Sequence, residues 1–298
     1  MNFEANPKIS VIMVDGNFRE KFHSIDFFRK QTFPLSDFEL LWIEYYEKAN
    51  PFLEEKIAKL PNFRVLTLGK KGIYHSSYCF NAGILASRGE VLVIPDADVV
   101  VEKDFLEKVW QEHQANDKLV MYIHRYNEPE EVHMAELTLE HLKKMCRLTN
   151  PTNYGGCLTI RKRWLLEING YEQHPVFSSG EHANGWDVYT RLKNLGLHVK
   201  WHPGLKLYHP WHHGTLRAAP SYKLQHVIID HRALSLATSA FQGINPLKNC
   251  EPPPALIDQI EAEKIKHNGT QTSRSSLVRA VRQAKKVVKK ILHPIISP

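Results

Sequence analysis

The stretch Val91-Leu92-Val93-Ile94-Pro95-Asp96-Ala97-Asp98 constrains the fold most. A run of apolar, mostly β-branched residues suits a strand buried on both faces, the habit of parallel strands in α/β sheets. Such a strand running straight into two carboxylates places them at its carboxyl end, where open α/β sheets leave a ligand crevice. Two carboxylates there are costly unless something positive lies between them. A hard divalent cation carrying a phosphate is the natural candidate, because Mg²⁺ and Mn²⁺ take oxygen ligands and share them with substrate phosphates. The plain alternative is a turn whose aspartates cap the next helix.

The flanking sequence fits a parallel sheet. Lys8–Val14, Phe38–Ile43 and Phe63–Thr67 read as strands, with Arg19–Gln31, Pro51–Leu60 and Ser76–Ser87 as the helices between them and residue 91. Strands alternating with helices indicate βαβ units with helices on both faces. Asp104–Gln114 reads as a helix and Leu119–Ile123 as a strand; 127–147 reads as a surface helical insertion. The pair Gly155-Gly156 permits a tight bend or a close ligand approach. Asp187–Leu195 reads as a helix closed by Gly196 at C′, followed by short strands at 199–201 and 205–208. From Tyr222 to Phe241 the pattern is helical, until Pro252-Pro253-Pro254 breaks it.

Charge is unevenly placed. Residues 264–298 hold nine Lys or Arg and no Asp or Glu, so the formal +7 resides in the tail. There, Leu277–Leu292 sets apolar residues at a 3.6-residue period against Arg279, Arg282, Lys285, Lys286, Lys289 and Lys290. This pattern suits a helix lying on an anionic membrane surface. Docking on the protein's own body or on a second subunit, as a homodimer, is the other reading. No aromatic interleaving or binding motif points to nucleic acid. No run of about 18 apolar residues predicts a membrane span, and Met1–Pro7 lacks a signal-peptide pattern. The scattered Cys79, Cys146, Cys157 and Cys250 form no C-x-x-C pair and fit a reducing cytoplasm, with any membrane attachment at the inner face.

Four ordered segments resemble the inverting family 2 glycosyltransferases of the GT-A fold, over roughly residues 8–215. They are Ile9–Val14 with Lys30-Gln31-Thr32-Phe33 and Asp37–Leu40; Asn81-Ala82-Gly83-Ile84 with Ala86–Glu90; Asp96-Ala97-Asp98; and Asn169-Gly170-Tyr171, Gly185-Trp186-Asp187, Arg191-Leu192 and Tyr208-His209. The resemblance implies an α/β, Rossmann-like, mostly parallel sheet flanked by helices, with a C-terminal helical extension. It implies a GT-A domain at 1–215, its nucleotide-binding half about 1–100 and its acceptor half about 101–215, then an extension at 216–265 and a linker with the basic helix at 266–298.

The same resemblance implies site roles. Asp98 is the direct ligand of a Mn²⁺ or Mg²⁺ ion and Asp96 its helper, on the ribose or on the metal through water. His209 completes the metal shell, while His202 and His213 read as structural and the H-x-x-H at 209–212 is not diagnostic. Val14, Gly16, Asn81, Gly156 and Trp186 line the nucleotide-sugar. Glu44 stands where the family reads the base, unless it is a strand-end surface residue, and Tyr45 or Tyr74 substitutes for the stacking aromatic. The family's Glu-Asp pair falls on Asn184 and Gly185, so the general base is either Asp187, which also fits a helix N-cap, or Glu181. The implied function is metal-dependent transfer from a nucleotide-sugar, UDP by default, to a glycan or lipid-linked acceptor in cell-surface polysaccharide or glycoconjugate synthesis. The alternatives are a nucleotide-sugar-binding protein without catalysis and a sugar nucleotidyltransferase. Against the last, Asp15-Gly16-Asn17-Phe18 lacks a Gly-rich run and a Lys.

Overall fold

The computed structural model describes residues 6–134, 136–178, 183–213 and 222–264. Strand β1 (Ile9–Asp15) leads through α1 (His23–Arg29) to β2 (Phe38–Glu44), α2 (Pro51–Ala58), β3 (Phe63–Thr67), α3 (Ser76–Ala86) and β4 (Val91–Pro95). Then come α4 (Phe105–Ala115), β5 (Leu119–Asn127), α5 (Leu139–Met145), β6 (Arg147–Leu148), β7 (Cys157–Arg161), α6 (Lys162–Glu167), α7 (Asn184–Asn194), β8 (His198–His209) and α8 (Tyr222–Ser235). The sheet runs β3-β2-β1-β4-β7-β5-β6, with β8 beside β5. The pairs β1–β2, β1–β4, β2–β3 and β5–β8 are parallel; β7 and β6 run against their neighbours. The mostly parallel α/β sheet expected from the sequence is therefore present.

The strands form where the sequence is continuously apolar. Every residue of β2 and β4 is buried, because helices cover both faces of the sheet. Glu39 interrupts β2, but Ser10, Arg64 and Arg88 satisfy its carboxylate. Asn50 caps α2, its side chain accepting from the Phe52 amide, with Pro51 at the first helical position. Gly83 lets α3 lie close on β1, since a Cβ there would stand 2.5 Å from Ile12 Cγ2.

Several boundaries differ from the sequence reading, for local reasons. Helix α1 starts at His23 rather than Arg19, because residues 16–19 wrap around Asp15, whose Oδ1 accepts from the Gly16 and Phe18 amides. The two short strands at 199–201 and 205–208 are one strand, β8; a register shift opposite Tyr122 and His124 absorbs Pro203. The region 127–147 is only partly helical, with a single turn at Glu130–Val132 and then α5. Helix α8 stops at Ser235, followed by Leu236 at φ 55°. Gly196, at φ 78°, closes α7 as expected.

The chain divides into two compact units, Met1–Glu251 and Pro252–Pro298. In the second, 254–264 is helical; the basic pattern at 277–292 lies outside the described residues. No helix among the described residues is long and apolar enough to cross a membrane.

One acid-sensitive group in the core lies on α4. His113 on α4 is fully buried, with Nε2 2.8 Å from Thr159 Oγ1. Burial pushes its pKa down from 6.5 to about 4. The unfolded chain takes up this proton near pH 6.5 and the folded chain near 4. Stability therefore falls as pH drops through that window, by about 3 kcal/mol in all, and this loss stops below it. His113→Gln should flatten that limb in urea denaturation at pH 7, 5.5 and 4.5; an unchanged slope would show that His113 does not set it.

Candidate active site

Strand order reverses between β1 and β4, so the crevice lies beyond their carboxyl ends. Three elements pin the turn that follows β4. The Asp96 amide donates to the Gly156 carbonyl (2.9 Å). From α1, Ser24 Oγ donates to the Ala97 carbonyl (2.7 Å), and His23 Nε2 lies 2.9 Å from the Asp98 carbonyl. At the end of β8, Val100 and Tyr208 exchange backbone hydrogen bonds (2.7 and 2.9 Å). That last bridge carries His209 to Asp98.

Asp98, His209 and His212 offer one ligand atom each within 4.8 Å of one another. His209 Nε2 is 3.5 Å from Asp98 Oδ1, His212 Nε2 is 3.5 Å from Oδ2, and the two imidazole nitrogens are 3.2 Å apart. Atoms bound to one ion at about 2.1 Å stand about 3.0–3.4 Å from each other, so the three groups need close up only slightly to hold a small divalent cation. Asp98 Oδ1 is buried and has no hydrogen-bond partner among the described residues, an arrangement that calls for a ligand. Burial alone would raise the Asp98 carboxyl; Arg19, with His209 and His212, outweighs it and holds the group well below the usual range. The same contact with Asp98 raises His212.

The arm bearing both histidines is itself held. Glu128 donates its amide to the His209 carbonyl (2.9 Å) and accepts from the Trp211 amide (2.9 Å). His133 (2.7 Å) and His141 (2.8 Å) flank the Glu128 carboxylate. His212, which the sequence offers only within a non-diagnostic H-x-x-H with His209, joins the cluster.

Each carboxylate of the D-x-D also meets an arginine. Arg125 Nη1 is 2.6 Å from Asp96 Oδ2. Arg19 spans Asp15 Oδ1 (2.9 Å) and Asp98 Oδ2 (3.2 Å). Burial raises Asp96 despite Arg125, and the charge of Asp98 adds to the effect.

Several residues expected on the nucleotide-sugar have partners within the protein. Asn81 is buried and spends its amide on the Tyr171 amide (2.7 Å) and carbonyl (2.8 Å), fixing the Asn169-Gly170-Tyr171 turn on α3. Glu44 is buried, not a surface residue; it accepts from the Asn17 and Tyr46 amides, both at 3.2 Å, and clasps the β1 and β2 loops. Burial, then the charge of Asp15, pushes its carboxyl up. Tyr74 packs edge-on against Phe18 and Tyr45, and a Cβ at Gly16 would lie 2.5 Å from its ring, so these aromatics wall the first loop. Val14 lends its carbonyl to Arg19 (3.4 Å). Gly156 holds Asp96 through its backbone. Trp186, 36% exposed on the first turn of α7, lies along Tyr154 and meets the His226 ring edge-on.

Asp187 is fully buried in a knot of charges. Arg191 Nε and Nη2 donate to its Oδ2 (2.9 and 2.8 Å), and Arg232 of α8 pairs with its Oδ1. Arg232 also pairs with Glu172, whose carboxylate accepts from the Phe241, Gln242 and His174 amides. Asp187 is not the N-cap of α7, which begins at Asn184, and both its oxygens are engaged by guanidiniums. The departure at Gly185 has a physical reason: a Cβ there would lie 2.5 Å from the Tyr154 carbonyl. Asn184 is buried on Ser76 and Ser77. Glu181 lies outside the described residues.

Comparison with known proteins agrees with this architecture. Residues 46–168 match the model of the family described as glycosyl transferase family 2. No curated protein matches the chain. Among solved structures, S. aureus TarS 1–349 in complex with UDP-GlcNAc aligns with a TM-score of 0.57 at 16% identity, covering 88% of this chain and 73% of that one. TarS 1–349 alone gives 0.55 at 16% identity over 88% and 72%, and a longer TarS chain gives 0.55 at 17% over 87% and 43%. At these identities the likeness is one of fold. The resemblance to family 2 and the GT-A fold is borne out, and with it the reading of the chain as a glycosyltransferase.

Proposed function

We propose that the chain is a metal-dependent inverting glycosyltransferase that moves a sugar from a UDP-sugar to a glycan or lipid-linked acceptor, in cell-surface polysaccharide or glycoconjugate synthesis. The observation that carries the metal part is the Asp98 carboxylate at the switch point of the sheet, with His209 beside Oδ1, His212 beside Oδ2, and Oδ1 buried without a hydrogen-bond partner among the described residues. TarS has been solved with UDP and with UDP-GlcNAc, which supports a uridine donor here. Asp98, His209 and His212 would hold Mn²⁺ or Mg²⁺, which supplies Lewis acidity to the departing diphosphate. The two imidazoles favour Mn²⁺.

The chain's other groups divide the work. Arg125 keeps Asp96 in place at the mouth of β4. Trp186 and Tyr154 offer an aromatic face to a sugar ring. The general base is a carboxylate near the acceptor hydroxyl; with Asp187 consumed by Arg191 and Arg232, Glu181 takes that role in this reading. The ion-paired burial of Asp187 also favours the second reading, a binding protein without transfer. The tail at 277–292 is assigned to an anionic membrane surface on its sequence pattern alone.

Thermal-shift measurements with UDP, GDP, dTDP and CDP, each with and without Mn²⁺, test the donor reading. UDP should stabilise the chain only with Mn²⁺, by about 2–4 kcal/mol at 100–1,000 times its Kd. No shift with any of the four would overturn it.

A further inference from the structure

Arg19 already pairs with the carboxylate that an incoming cation would need. Its Nη2 is 3.2 Å from Asp98 Oδ2, on the carboxylate that also meets His209 and His212. Its Nη1 is bound to Asp15 Oδ1 at 2.9 Å and reaches the Val14 carbonyl at 3.4 Å. The remaining donor, Nε, is buried without a partner among the described residues. Arg19 sits in the turn that joins β1 to α1, at the position where this class of sheet receives phosphates.

Charge accounting shows what this does. Asp15, Asp96 and Asp98 face Arg19 and Arg125, leaving one formal negative charge at the site. That is little to hold a bare divalent ion, which would also be repelled by a guanidinium already on its own ligand. A nucleoside diphosphate brings the missing negative charge. It also offers the planar oxygen pairs that a guanidinium recognises, including its unused Nε–H.

We propose that Arg19 is a resident counter-ion of Asp98: it opposes binding of a bare divalent cation and turns to the donor's diphosphate when ion and nucleotide enter together, so that each requires the other. This rests on the functional reading above, and goes beyond it by making Arg19 the residue that couples the two ligands. A purely structural Arg19 would, on removal, weaken both.

The test is titration of Mn²⁺ into the full chain by electron paramagnetic resonance, without nucleotide, and calorimetry of UDP at saturating Mn²⁺. The variants are Arg19→Gln and Arg19→Lys, each checked for an unchanged far-UV spectrum. Removing one positive charge beside a charged ligand shifts its equilibrium by about 10-fold or more. Arg19→Gln should therefore bind bare Mn²⁺ about 10-fold more tightly and UDP about 10-fold more weakly. Arg19→Lys keeps the charge and should bind bare Mn²⁺ like the parent chain, so it decides the matter if the glutamine variant fails to fold. Bare Mn²⁺ affinity unchanged or lower in folded Arg19→Gln, or raised in Arg19→Lys, would overturn the proposal. Failure of UDP to bind the parent chain would count against the functional reading instead, and the ion titration would still decide the role of Arg19.

Discussion

Asp98→Asn is expected to abolish Mn²⁺-dependent stabilisation by UDP and to lower transfer by at least about 10²-fold, on the scale of losing one group that stabilises developing charge. The change is isosteric, so the turn held by Ser24, Gly156 and Tyr208 should persist. What is lost is the charged oxygen pair between Arg19 and the two histidines. The amide is a poor ligand for a hard cation and cannot offset its charge. Because Asp98 pairs with Arg19, the melting temperature without ligand should also fall, and the UDP-induced shift is read against each variant's own unliganded value. A variant that keeps ion-dependent UDP binding would show that Asp98 is not the ligand.

Asp187→Asn should act on the fold, with catalysis following only through the folded fraction. Removing one member of a buried ion network typically costs about 3–5 kcal/mol, because the partners stay buried with uncompensated charge. Here the buried Arg191 and Arg232 would be left facing one carboxylate, Glu172. For a chain of this size the melting temperature should drop by roughly 10 °C. Activity per folded molecule should be kept, whereas Glu181→Gln should lose about 10²–10⁴-fold in kcat at unchanged melting temperature. The reverse pattern, a stable but inactive Asp187→Asn beside an active Glu181→Gln, would return the base to Asp187. A parent chain that binds the donor and transfers nothing would favour the reading of a binding protein without catalysis.

The legible part of this protein is what depends on local sequence. Continuous apolar runs marked β1, β2 and β4, and the D-x-D marked the mouth of β4, because strand burial and strand ends are written in a few adjacent residues. His209, the last residue of β8, was legible through the family resemblance. The illegible part depends on contacts between distant segments. Arg232 reaches Asp187 across 45 positions, and nothing near either residue announces the other. Glu44 and Asn81 carry side chains suited to a ligand, yet loop amides and a turn 90 residues away claim them. Gly185, in the place of a carboxylate, makes sense only beside the Tyr154 carbonyl. The partners of Asp187 were hidden for the same reason: a carboxylate early in a helix reads alike whether it faces solvent or two arginines.

The central claim is that Asp98, His209 and His212 hold a divalent ion that meets the donor diphosphate. Anomalous scattering from crystals grown with Mn²⁺ and UDP tests it most directly. The predicted result is one strong peak within about 2.3 Å of a carboxylate oxygen of Asp98 and of a ring nitrogen each of His209 and His212, with a diphosphate oxygen on the same ion. Bound UDP with no peak there, or a peak held by other residues, would contradict it.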